Sequence, residues 1–255
     1  MGSDSGESSM GIEGSLGSQR VVATRPAGRR WLRRLGIVVG GGLGALTLAM
    51  VAYGVLTTPT ALPGRSPLYA FDPETVGRLE QRAWAAYYYR QWPQLFDLML
   101  RLSRSAFGLS LTEAVYASYL NTQAQVIWAR QGAQDGLAED TMRRFYEYVR
   151  EPVGGQYDAA TAARLEVNWW AVHRNRDQYP DHSALAQALA ETYAEVYQSP
   201  AERMLPAGEA RAAAMDLSDQ WIREGKNPDS PLLDEIARLL VQSYQLLSEN
   251  IGAGH

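Results

Sequence analysis

Three stretches of this chain gather side chains that can do chemistry. The first, RLEVNWWAVHR, runs from Arg164 to Arg174. Its Glu166 and His173 are seven residues apart, nearly two helical turns, so they share one face with Trp170 between them. A carboxylate with an imidazole is the raw material of a metal site or of general acid–base catalysis. Metal-binding pairs on a helix normally stand three or four apart, so these two need other helices to complete a site. The competing reading is a buried histidine hydrogen-bonded within a Trp-lined core. The second stretch, AMDLSDQW, places Asp216 and Asp219 one turn apart, able to present two carboxylates to a cation or a basic ligand. Asp219 also precedes Arg223 by four residues, the spacing of an ordinary surface ion pair. The third is WAAYYYRQW from Trp84 to Trp92, with Glu80 one turn upstream. Aromatics this dense cover most of a helix circumference, so some of them must line a cavity, a second interface or the membrane surface, with Tyr88 the candidate among them and plain core packing the competing reading. The candidate ligand-binding residues are therefore Glu80, Tyr88, Glu166, Trp170, His173, Asp216 and Asp219.

Exclusions narrow the chemistry further. The chain has no cysteine, which removes disulfides, thiol catalysis and thiolate metal sites. It contains no G-x-x-x-x-G-K-[ST], H-E-x-x-H, G-x-S-x-G or S-x-x-K motif. No cofactor and no metal site is expected. Residues 1–34 carry a formal charge of +3 and the remainder −7. An acidic domain repels a phosphate backbone, so nucleic acid is not an expected partner.

The elements that must hold these residues are helices. Residues 1–34 form a Ser/Gly-rich, arginine-bearing tail with the composition of a disordered segment. Leu35–Leu56 is free of charge and long enough to cross a bilayer, so a single transmembrane helix is expected. A cleaved signal peptide is the alternative, but its apolar region runs only about 7–15 residues. Gly36, Gly40 and Gly44 recur every four residues and could bring two such spans together. Residues 57–71 read as a proline-punctuated linker, and 72–255 as one α-helical domain. Asp72-Pro73 and Asp158 supply N-caps, Ser110-Leu111-Thr112-Glu113 a capping box, and Ser199-Pro200-Ala201-Glu202 a second one. Breaks are expected at Pro93, Pro152 and Pro206. Leu233, Ile236, Leu240, Tyr244, Leu247 and Ile251 make one apolar stripe on the last helix. No alternating strand pattern follows the span, so the fold class is all-α: a bundle of about seven to eight helices preceded by one transmembrane helix.

AWAAYYYRQW, RLEVNWWAVHR and AMDLSDQW followed by NPDSPLL together resemble a family of uncharacterised bacterial α-helical proteins. The likeness extends from about Leu79 to Ser248. It implies one domain over that stretch and carries no activity with it.

The expectation is thus a membrane-anchored helical module that binds a partner protein or a small ligand. The alternative is a metal-dependent or carboxylate/His-dependent enzyme with its site inside the bundle. Arg25, Arg29, Arg30, Arg33 and Arg34 precede the span and only Arg65 follows closely, which puts the N-terminus in the cytoplasm and the domain outside the cell membrane. Protease added to spheroplasts should digest a C-terminal epitope and spare an N-terminal one; the reverse pattern would sink that topology.

Overall fold

The computed structural model describes residues 67–131, 136–175 and 182–251. The transmembrane helix expected at Leu35–Leu56, with Gly36, Gly40 and Gly44, lies outside them. Among the described residues no helix is long and apolar enough to cross a membrane. Those residues form α1 (Pro73–Tyr88), α2 (Trp92–Phe107), α3 (Leu111–Gln131), α4 (Leu137–Val153), α5 (Ala159–Arg174), α6 (His182–Tyr197), α7 (Ala201–Arg223) and α8 (Leu232–Ile251), with a short 3-10 turn at Pro67–Tyr69. All-α architecture with no strand among the described residues agrees with the periodicity of the sequence.

Each helix packs against its neighbours in chain order, and α8 packs back against α1, so the helices close into a ring. Local chemistry sets the ends. The Asp72 carboxylate accepts the Thr75 amide at 2.9 Å, and Asp158 accepts that of Thr161 at 2.8 Å. The Ser110 box forms in both directions: Glu113 accepts the Ser110 amide at 2.8 Å and Ser110 Oγ accepts the Glu113 amide at 3.4 Å. Gly108 and Gly154, at φ of 62° and 64°, end α2 and α4.

Several sequence expectations differ from what forms. The second capping box does not: α7 starts after Pro200 with no side-chain cap. Ser199 is engaged instead in closing α6, its amide bonded to Ala194 O at 3.1 Å after Gln198 turns left-handed at φ 51°. Pro206 does not break α7, and Pro152 lies inside α4. Each proline removes one backbone bond: Pro152 is the penultimate residue of α4, so almost no helix follows it, and α7 continues past the loss at Pro206. Helix α5 stops at Arg174 because Asn175, at φ −100° and ψ 52°, leaves helical geometry. The ordered domain also begins before Asp72. Leu68 and Phe71 are buried, and the Phe71 ring stands edge-on to Tyr244 at 5.8 Å, so the end of the supposed linker packs into the ring.

Two glycines let helices approach closely. A Cβ on Gly77 would lie 2.6 Å from the Val241 backbone nitrogen, at the α1–α8 seam where the ring closes. A Cβ on Gly208 would collide with the Ala186 carbonyl oxygen between α6 and α7. Ala in place of Gly within a helix normally stabilises by about 1 kcal/mol. At Gly77 overpacking against backbone outweighs that gain, and Gly77→Ala should destabilise by about 1–3 kcal/mol. A melting temperature at or above that of the unaltered protein would contradict close packing at the seam.

Candidate functional site

The ring encloses a cavity of about 490 Å³ to which every one of its helices contributes. Its polar centre is built on α1, α6, α7 and α8. Arg211 of α7 donates to the Glu80 carboxylate of α1 in a short ion pair and, through Nη1, to the Tyr193 hydroxyl of α6 at 3.0 Å. Tyr244 of α8 donates to the other Glu80 oxygen at 2.7 Å. The guanidinium carbon lies 5.2 Å from the Trp169 ring centroid and 5.9 Å from that of Trp84. Arg211 Nε has no hydrogen-bond acceptor and is covered, which these ring faces account for: an aromatic face is a weak acceptor for N–H. Burial and the Glu80 charge keep Tyr244 well above the ordinary phenol range, so it remains a donor. Burial is also the largest cause of the upward shift at Tyr193.

Glu166 of α5 stands on the same wall. Its Oε2 accepts the Tyr146 hydroxyl at 3.0 Å, and the Trp169 side chain also hydrogen-bonds it. Protein surrounds it on all sides, yet part of its surface is uncovered, so that part faces the cavity. Arg211, whose side chain keeps 12% exposure while similarly enclosed, faces it too. Desolvation raises the Glu166 pKa, more than Arg211 and the two neutral donors lower it.

The α5–α7 wall carries a second cluster. His173 Nε2 approaches Asp219 Oδ1 at 3.2 Å, a contact whose alignment falls short of a hydrogen bond. Tyr88 lies beside Asp219 and Ser218, and burial followed by the Asp219 charge raises its pKa. Arg174, exposed at the end of α5, spans the Trp128 ring at 4.3 Å and donates to Trp128 O at 3.0 Å. Because Arg174 both lines the cavity and reaches solvent, it marks the rim.

Of the seven sequence candidates, Glu80, Tyr88, Glu166, Trp170, His173 and Asp219 line this one cavity. Asp216 does not. It turns outward and lies 2.6 Å from His182 Nδ1, a half-exposed pair at the start of α6. Asp216 and Asp219 stand one turn apart, about 60° around the α7 axis, yet Asp219 lines the cavity while Asp216 lies on the flank beside His182. Among the described residues no three His, Asp or Glu side chains come together to hold a metal ion. Sequence reasoning missed Arg211, Tyr193, Tyr146 and Trp169. Arg211 carried a usable signal: it is the one basic residue in the run Ala207-Gly208-Glu209-Ala210-Arg211-Ala212-Ala213-Ala214, whose small residues must pack tightly against neighbours. An arginine there is either misplaced or paired in the interior.

The class defined by fold and site is a closed ring of helices around an aromatic cavity with a charged centre. Comparisons with family models, curated proteins and solved structures match nothing to this chain.

The upward shift at Glu166 fixes the sign of a pH effect. A carboxyl with a raised folded pKa costs stability above that pKa, where the fold must hold the anion. The cost disappears below the ordinary glutamate range, where folded and unfolded chains are both protonated. Glu166→Gln should therefore raise the melting temperature at pH 7–8, and the gain should shrink as pH falls toward about 4. A loss of melting temperature at neutral pH would mean that the carboxylate is held by more favourable contacts than its neutral donors provide.

Proposed function

We propose that the protein is a membrane-anchored helical module whose interior cavity binds a small, largely apolar molecule. The observation that carries this reading is the cavity itself: about 490 Å³, bounded by side chains from all of the ring helices. Ligand pockets commonly fall between roughly 300 and 1,000 Å³, with mainly aromatic and apolar walls and a few placed polar groups. Trp84, Tyr87, Trp128, Trp169 and Trp170 supply such walls here, and Glu166, His173 and Asp219 the polar groups. An enclosed carboxyl that costs stability is itself a sign of selection for something other than folding. The uncharged run at Leu35–Leu56 supports tethering to a membrane.

Catalysis at this site is a second reading, favoured by the His173–Asp219 contact on the cavity wall. It requires the imidazole to exchange a proton with the bound molecule, whereas binding alone does not. His173→Gln would abolish turnover of a molecule that still binds under the catalytic reading, whereas under the binding one it alters occupancy alone.

The experiment fills the cavity. Leu102 of α2 lines it and is only partly buried. Full-length protein in lipid nanodiscs should yield a stoichiometric small molecule on solvent extraction and mass spectrometry. Leu102→Trp should lose that molecule while keeping its helical circular dichroism. Equal occupancy in the filled variant, or an empty unaltered protein that no apolar probe stabilises, would overturn the binding reading.

A further inference from the structure

The charge balance of the cavity names a ligand class, and this step rests on the cavity reading above. Two carboxyls, Glu80 and Glu166, share the polar centre with one guanidinium, Arg211. Glu80 takes that guanidinium directly and is further bonded by Tyr244. The hydrogen bonds to Glu166 come from neutral groups, the Tyr146 phenol and the Trp169 side chain. Toward the rim, Asp219 faces His173, while Arg174 lies over Trp128. Three carboxyls therefore line the cavity against two guanidiniums, and Glu166 is the one with no ion pair among the described residues.

We propose that the cavity takes an apolar monoamine, held as its ammonium ion with N–H groups donated to Glu166. A carboxylate offers about four lone-pair sites, and two donors leave capacity for an ammonium. Charge-assisted bonds of this kind are roughly twice as strong as neutral ones, and in an enclosed site the gain is not screened. The amine's apolar body lies against the tryptophan and tyrosine walls.

Other ligand charges fit less well. An anion meets the unpaired Glu166. A neutral molecule leaves that carboxyl desolvated and uncompensated. A quaternary ammonium has no N–H to donate and depends on aromatic faces, yet Arg174 already covers Trp128 and Arg211 covers Trp169. The preference is for an ammonium bearing hydrogen.

The test uses full-length protein in lipid nanodiscs at pH 7.5 and four probes with one body: 2-(1-naphthyl)ethylamine, its N,N,N-trimethyl derivative, 2-(1-naphthyl)ethanol and 1-naphthylacetate. Isothermal titration, corrected against empty nanodiscs, should rank the primary amine first, by about tenfold or more over the alcohol. The trimethyl derivative and the acetate should fall at or below the alcohol. Glu166→Gln should bring the amine down to within about twofold of the alcohol. If the alcohol, acetate or trimethyl probe equals or exceeds the amine, the ligand class is wrong while the cavity reading stands. An amine preference that survives in a folded Glu166→Gln protein also overturns the class. If that variant fails to fold, the comparison of primary with quaternary amine on the unaltered protein decides. Binding of none of the four probes would remove the cavity reading and this inference with it.

Discussion

The ion pair between Glu80 and Arg211 is the contact on which this architecture turns. It joins α1, where the ring begins, to α7, and through Tyr244 and Tyr193 it draws in α8 and α6. Both side chains are nearly withdrawn from water, at 5% and 12% exposure. Desolvating two charges costs several kcal/mol apiece, and their attraction recovers that only with good geometry and satisfied hydrogen bonds. Here the remaining donors and acceptors are met by two phenols and by aromatic faces. Such a pair adds little net stability over an apolar substitute, but it heavily penalises any arrangement that separates its members. Its effect is to fix how the last helices return to the first.

That closure determines what lies inside. A bundle collapsed on its centre would fill with leucine and valine, whereas a ring with a polar hub keeps aromatic side chains around an open lumen. Gly77 allows the α1 and α8 backbones to touch at the seam, and buried Leu68 and Phe71 pack the chain's entry into the same body. Phe71 meets Tyr197 and Tyr244, both of which line the cavity, so the entry segment backs its wall. The rim carries Arg174, His173 and Asp219. Glu166 lies within, held by neutral donors at a cost to stability, and the proposed monoamine would remove that cost by supplying the missing positive charge.

The sequence revealed the helices better than it revealed their closure. Asp72, Asp158 and the Ser110–Glu113 box announce helix starts through local hydrogen bonds, and all three form. The stripe on α8 also reads correctly, since Ile236, Leu240, Leu247 and Ile251 are buried. Ser199 failed as a cap because the same residue was needed to end the preceding helix, a competition that no single-window reading weighs. The shared face of Glu166, Trp170 and His173 was legible from spacing within one helix. Partners on other helices were not. Glu80 and Arg211 are 131 positions apart, and only the ring brings them together. Asp216 was grouped with Asp219 because they stand one turn apart, but Asp216 borders the start of α6 and pairs with His182, which spacing within α7 does not reveal.

A double-mutant cycle on that pair tests the account most directly. Glu80→Gln, Arg211→Met and the double variant would be compared by chemical denaturation with the unaltered protein. Each single change leaves a buried partner unmatched, so each should destabilise by about 3–5 kcal/mol. The double variant should recover much of the loss, giving a coupling energy of about 2–3 kcal/mol. Additive effects, with coupling within about 0.5 kcal/mol, would show that the two side chains do not depend on each other and that the ring is closed by other means.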